Sequence, residues 1–146
     1  MNEAEQKTLA DLEWAEVERA VAERCVGPLR DQLALPLAIS FEETERALAE
    51  SKEAWGFLDR GEPLPLEGLC DIAASLKHLE REGVLEGSAI KDIRFTLRAA
   101  SALRRFLGQR KERAPYLHRV CAIDPTLDSL EEELAMSIGD DGTILD

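Results

Sequence analysis

Two histidines, three cysteines and one Asp-Asp-Gly step are the residues of this chain that could carry chemistry. His78, in Leu76-Lys77-His78-Leu79, could take a phosphoryl group on the surface of a helical bundle. A surface histidine beside a buried leucine is the simpler expectation. Neither His78 nor His118 has a cysteine or second histidine at metal-ligand spacing, which argues against zinc. A cysteine nucleophile needs a base and an electropositive setting. Cys25, Cys70 and Cys121 instead fall at or near apolar helical positions, as small core residues do. Their odd number and scatter fit a reduced, cytoplasmic setting. Asp140-Asp141-Gly142 lacks the alternating oxygen ligands and distal glutamate of a calcium loop. It is expected to be a turn with Gly142 at positive φ. Gly-rich phosphate loops are absent. The sequence therefore predicts no catalytic residue, no metal and no cofactor site within these residues.

Charge offers the one candidate ligand surface. The chain is acidic, with formal net charge −12, yet residues 91–119 hold nine bases and two acids. Residues 120–146 hold eight acids and no base. At about 100° per residue, Lys91, Arg94, Arg98 and Arg105 fall within roughly 60° of one another on a helix. They form a candidate nucleic-acid-facing stripe, in which each base would neutralise a backbone phosphate. The competing expectation is internal pairing with the surrounding carboxylates, since a strongly acidic domain is repelled by nucleic acid at long range. Arg104 lies off the stripe among apolar residues and is expected to need an acidic partner.

The elements that position these residues read as helices nearly throughout. Leu, Ala, Glu and Arg are abundant, and all favour helix. A first helix is expected from Thr8, carrying Trp14, Val17, Val21 and Cys25. A short second one is expected from Pro28 to Leu33, followed by a linker at Leu35-Pro36-Leu37-Ala38. Ser40-Phe41-Glu42-Glu43 is a capping box opening a long third helix. Its expected buried stripe is Phe41, Leu48, Trp55 and Leu58. Gly61-Glu62-Pro63-Leu64-Pro65 ends it. A fourth helix carries Leu69, Ile72, Leu76 and Leu79 and stops at Gly83. Glu86-Gly87-Ser88 leads into a fifth, the longest, which runs to about Arg113 as a central strut with the basic stripe as its solvent side. Pro115 starts a sixth, holding Leu117, Val120 and Cys121. A seventh carries Leu127, Leu130, Leu134 and Ile138, then a turn and a short extended step at Thr143-Ile144-Leu145. The expected fold is all-α: six or seven helices around a long central helix, with a short extended C-terminal tail. Trp14, Trp55, Leu76, Leu97, Leu103, Phe106 and Leu134 are its expected core. No heptad pattern lasts long enough for a coiled coil, and no apolar run approaches a membrane span.

Several stretches, in order along nearly the whole chain, resemble the N-terminal region of the MutS-two family. They are Thr8-Leu9-x-x-Leu12-Glu13-Trp14, Leu64-Pro65-Leu66 before Asp71-Ile72, Leu97-Arg98-Ala99-Ala100, Leu103-Arg104-Arg105-Phe106-Leu107 and the closing Ile138-Gly139-Asp140-Asp141-Gly142-Thr143-Ile144-Leu145-Asp146. These are MutS-like ATPases that end in a small Smr nuclease domain. The resemblance implies that residues 1–146 are the N-terminal part of a MutS-like core or lever domain, cut before the DNA-embracing clamp. It implies a non-catalytic segment of a cytoplasmic, homodimeric parent. ATP and Mg would bind only in the parent's ATPase domain, and branched or duplex DNA, and in some lineages the ribosome, would be the parent's partners. The alternative is a free-standing acidic helical adaptor for a protein partner. A small enzyme or phosphotransfer module has the least support. Apolar surface left without packing partners is also expected.

Overall fold

A computed structural model describes residues 3–25 and 40–145 of the chain. The chain separates into two compact units, Met1–Leu37 and Ala38–Asp146. In the first, α1 (Glu3–Asp11) and α2 (Trp14–Ala22) replace the single helix expected from Thr8. The break is at Glu13, whose backbone is left-handed at φ 52°. No glycine or proline marks it, and the apolar spacing runs through it unbroken. Thr8 lies inside α1, where its carbonyl accepts the Leu12 N–H at 3.0 Å. Trp14 is half-buried, while Val17 and Val21 are exposed. The helix expected at Pro28–Leu33 and the linker after it lie outside the described residues.

The second unit holds α3 (Phe41–Asp59), α4 (Ala73–Leu79), α5 (Gly87–Gly108), α6 (Pro115–Val120) and α7 (Leu127–Ser137). Among the described residues the chain has these seven helices and one antiparallel bridge, Ile138 to Ile144, so it is all-α. The Ser40 box forms as expected: Oγ accepts the Glu43 N–H at 3.2 Å, and the Glu43 carboxylate accepts the Ser40 N–H at 3.1 Å. Two orphan donors at the start of α3 are thereby satisfied.

The core differs from the expected one. Phe57, Leu107 and Ala114 are fully buried, with Leu64, Leu103, Phe106, Leu117 and Cys121 packed against them. The Phe57 and Phe106 rings meet edge to face, 5.1 Å apart, a favoured aromatic geometry. Trp55 is 71 % exposed, and Phe41, Leu48 and Leu58 are exposed with it. The stripe expected to be buried therefore faces outward, because α3 has two apolar faces and tertiary packing takes the one bearing Phe57. Leu76, Leu79, Val120, Leu127 and Leu130 are also exposed, while Leu97, Leu103, Phe106 and Leu134 are half-buried.

Two helices are shorter than their apolar spacing indicates. α4 starts at Ala73, where the Asp71 carboxylate accepts the Ala73 N–H at 3.0 Å. It closes in a Schellman turn: Gly83 N–H donates to His78 C=O at 3.0 Å and Glu82 N–H to Leu79 C=O at 2.9 Å. Glu82, at φ 60°, takes the left-handed position that glycine usually fills. α5 ends at Gly108 and not near Arg113. Residues 109–113 turn instead, and Arg113 N–H donates to the Arg110 carbonyl at 2.9 Å.

Candidate nucleic-acid interface

α5 presents Lys91, Arg94, Arg98 and Arg105 as its geometry requires, but they do not share one solvent-facing stripe. Arg94 is 7 % exposed, which corrects the expectation of a continuous solvent side. Its guanidinium donates to the Ile138 carbonyl and to the Asp140 carboxylate. A buried guanidinium needs such partners, since desolvation without them costs several kcal/mol. Arg105 is exposed and bonds the Asp128 carboxylate at 3.3 Å. Arg98 is exposed and lies over the Phe95 ring, 4.6 Å from its centroid. Lys91 is half-buried near Cys70 and Asp141, whose protonation it influences.

The remaining arginines of the basic block also meet carboxylates or rings. Arg104 pairs with Asp128, the acidic partner its position required. Just beyond α5, Arg110 and Arg113 both donate to Glu62, at 3.1 and 3.2 Å. Arg110 lies 3.9 Å from the centroid of the Phe106 ring, and Arg113 stands over Phe57. With Arg60 at 3.8 Å as well, Glu62 thus gathers three cations around the two central aromatic rings. Hydrogen bonds from Arg110 and Arg113 hold its carboxyl below the usual range. The Arg104 guanidinium does the same to Asp128.

Asp128 and Glu62 are the residues sequence reasoning missed. Both lie far along the chain from their arginines, so no helical spacing announces the pairs. Glu53 was missed likewise: its carboxylate accepts the Tyr116 and Leu117 N–H groups at 3.2 and 2.8 Å and caps α6 from α3. The only available signal is composition, nine bases facing an excess of acids.

The Asp-Asp-Gly step is a turn, with Gly142 at φ 86°. Asp140 meets Arg94, while Asp141 accepts the Thr143 N–H at 3.0 Å and its hydroxyl at 2.7 Å. Those Thr143 bonds lower the Asp141 pKa. The turn abuts the start of α5 so closely that a Cβ on Gly87 would run into the Gly142 carbonyl. Burial pushes the Cys70 and Cys121 thiols up, with nearby carboxylates adding to the effect. Both are therefore held protonated, the opposite of an activated nucleophile. Among the described residues, no three His, Cys, Asp or Glu side chains gather as a metal site. No helix among them is long and apolar enough to cross a membrane.

The chain resembles one region of the MutS2 endonucleases. Endonuclease MutS2 of Symbiobacterium thermophilum is 30 % identical over 144 residues, covering 97 % of this chain and 18 % of that protein. The Listeria innocua protein of the same name is 30 % identical over 147 residues, covering 97 % and 19 %. That of Anaeromyxobacter sp. is 30 % identical over 142 residues, covering 96 % and 18 %. The chain thus spans less than a fifth of the length of these relatives. No family model matches it, and no solved structure does.

Proposed function

We propose that this chain is a non-catalytic helical lever of a MutS2-like, DNA-directed protein. The observation that carries this is the bracing of α5. Arg94 ties its first half to the Asp140 turn, Arg104 and Arg105 tie its second half to Asp128 of α7, and Arg110 and Arg113 tie its exit to Glu62. A helix held at three levels moves as one body, because packed elements shift in discrete steps and resist gradual deformation. In the parent, such a body would pass a nucleotide-driven displacement from an ATPase with bound ATP and Mg to a clamp on branched or duplex DNA. The parent would be a cytoplasmic homodimer carrying the endonuclease activity its relatives are named for, and a ribosome would be a further partner in some lineages. Most cations of the basic block are engaged within the fold. Lys91 and Arg98 are left as the stripe residues best able to reach a phosphate.

The test is direct. The purified 146-residue chain is offered ATP, duplex DNA and a four-way junction. It is expected to hydrolyse no nucleotide, cut no strand and bind DNA only weakly, with affinity falling as salt rises. Lys91→Glu with Arg98→Glu is expected to remove that weak binding. Turnover of ATP or strand cleavage by the chain alone would overturn the proposal. Unchanged binding in the double variant would remove the stripe from it.

A further inference from the structure

α3 has one face turned to the core and one turned away. Glu53 and Phe57 lie on the first, where they meet α6 and the Phe106 ring. Roughly 160–200° round the helix from Phe57, Phe41, Leu48 and Trp55 are 78, 63 and 71 % exposed, and Leu58, about 100° round, is 62 % exposed. Single exposed apolar residues are ordinary, but a contiguous strip marks a contact surface. Together with Thr44 and Ser51 these residues recur in alternating steps of three and four, the spacing of a helix-pairing seam. The two polar members fit an apolar seam. Thr44 Oγ1 donates to the Ser40 carbonyl at 3.0 Å, and Ser51 Oγ to the Ala47 carbonyl at 2.8 Å. Their hydroxyl protons are satisfied within the helix and need no water.

We propose that this face pairs antiparallel with the same face of a second copy of the chain. The sequence of the seam is self-complementary in that orientation. Phe41 stands opposite Leu58 of the second copy, Thr44 opposite Trp55 and Leu48 opposite Ser51, and each layer sets a larger side chain against a smaller one. Along one edge, Glu45 stands opposite Lys52 of the second copy, and symmetry makes this contact twice. Both are exposed, and neither has an ion-pair partner among the described residues. Along the other edge, Ala47 faces Ala54, so the backbones can approach closely. A parallel pairing would set Trp55 on Trp55 and Thr44 on Thr44 and would form no Glu45–Lys52 contact. The four large apolar side chains expose on the order of 500 Å² per chain, so a pair covers at most about 1,000 Å², below the roughly 1,200 Å² at which stable specific interfaces begin and in the range of transient ones. The dimer is therefore weak and concentration-dependent, and it does not rest on the lever role.

Sedimentation equilibrium of the 146-residue chain, under reducing conditions at low salt, tests this from about 1 µM to about 500 µM. A reversible dimer is expected. Glu45→Lys and Lys52→Glu should each raise its Kd about tenfold, since two attractive rim contacts become repulsive. The two reversals combined should restore affinity to within about threefold of the original. Within one helix these residues are seven apart and do not meet, so recovery requires contact between copies. Leu48→Glu should abolish the dimer while helicity by circular dichroism is unchanged. A monomer at every concentration would overturn the proposal, whether another segment or another protein covers the face. So would a dimer indifferent to the single reversals, or one that the double reversal fails to restore.

Discussion

At the scale of single residues, Asp128 and Glu82 are the most informative. Asp128 receives Arg104 and Arg105 from α5, and its carboxyl pKa is lowered chiefly by the Arg104 hydrogen bond. A folded pKa below the unfolded value means the carboxylate stabilises the fold above the unfolded pKa, about 3.9 for aspartate. That contribution is lost as pH falls through the folded value. Asp128→Asn should therefore lower the melting temperature at pH 7, and the gap from the parent chain should narrow as the solution is acidified below about pH 4. A gap of constant size across that range would show that the charge of Asp128 is not what ties α5 to α7. Glu82 makes the opposite case. Its left-handed backbone closes the Schellman turn after α4 without the freedom of glycine. Glu82→Gly should stabilise the second unit by about 0.5–1 kcal/mol, read from urea unfolding, because the strain of a Cβ at positive φ is removed. Glu82→Ala should give no comparable gain.

At the scale of elements, α3 shows what the sequence could and could not specify. Its capping box was legible because every group involved lies within four residues. Its buried face was not. The spacing of Phe41, Leu48, Trp55 and Leu58 is a sound amphipathic signal, but Phe57 marks a second face. Only the position of α6 and Phe106 decides between them. Phe57→Ala should cost about 3–5 kcal/mol in chemical unfolding of the monomer, and Trp55→Ala less than about 0.5 kcal/mol. Equal losses would mean that Trp55 is packed within the chain. The break at Glu13 was illegible for a related reason: nothing in the local residue types disfavours helix there. Gly142 could be read because a tight turn needs positive φ, which glycine accepts without strain. The pairs of Arg94, Arg105, Arg110 and Arg113 could not be assigned, since each joins residues more than twenty positions apart.

At the scale of the molecule, net charge conceals an ordered division. The chain is acidic overall, and its basic block is turned largely to its own carboxylates and aromatic rings. Exposed ion pairs add little individually. Their placement matters more, since they join α5 to the Asp140 turn, to α7 and to the Glu62 loop while Phe57, Leu107 and Ala114 fill the space beneath its far end. Such an arrangement is what the proposed lever role requires. It is also consistent with resemblance to one region of much longer MutS2 endonucleases.

Native-state hydrogen exchange on α5 tests the central claim most directly. If the three braces make α5 a rigid strut, the amides of residues 92–107 should exchange only through global unfolding, with the free energy and denaturant dependence of the whole second unit. Asp128→Asn should open a local route for the second half of the helix. Exchange of those amides in the unaltered chain through low-energy local openings, at rates insensitive to Asp128→Asn, would contradict the account.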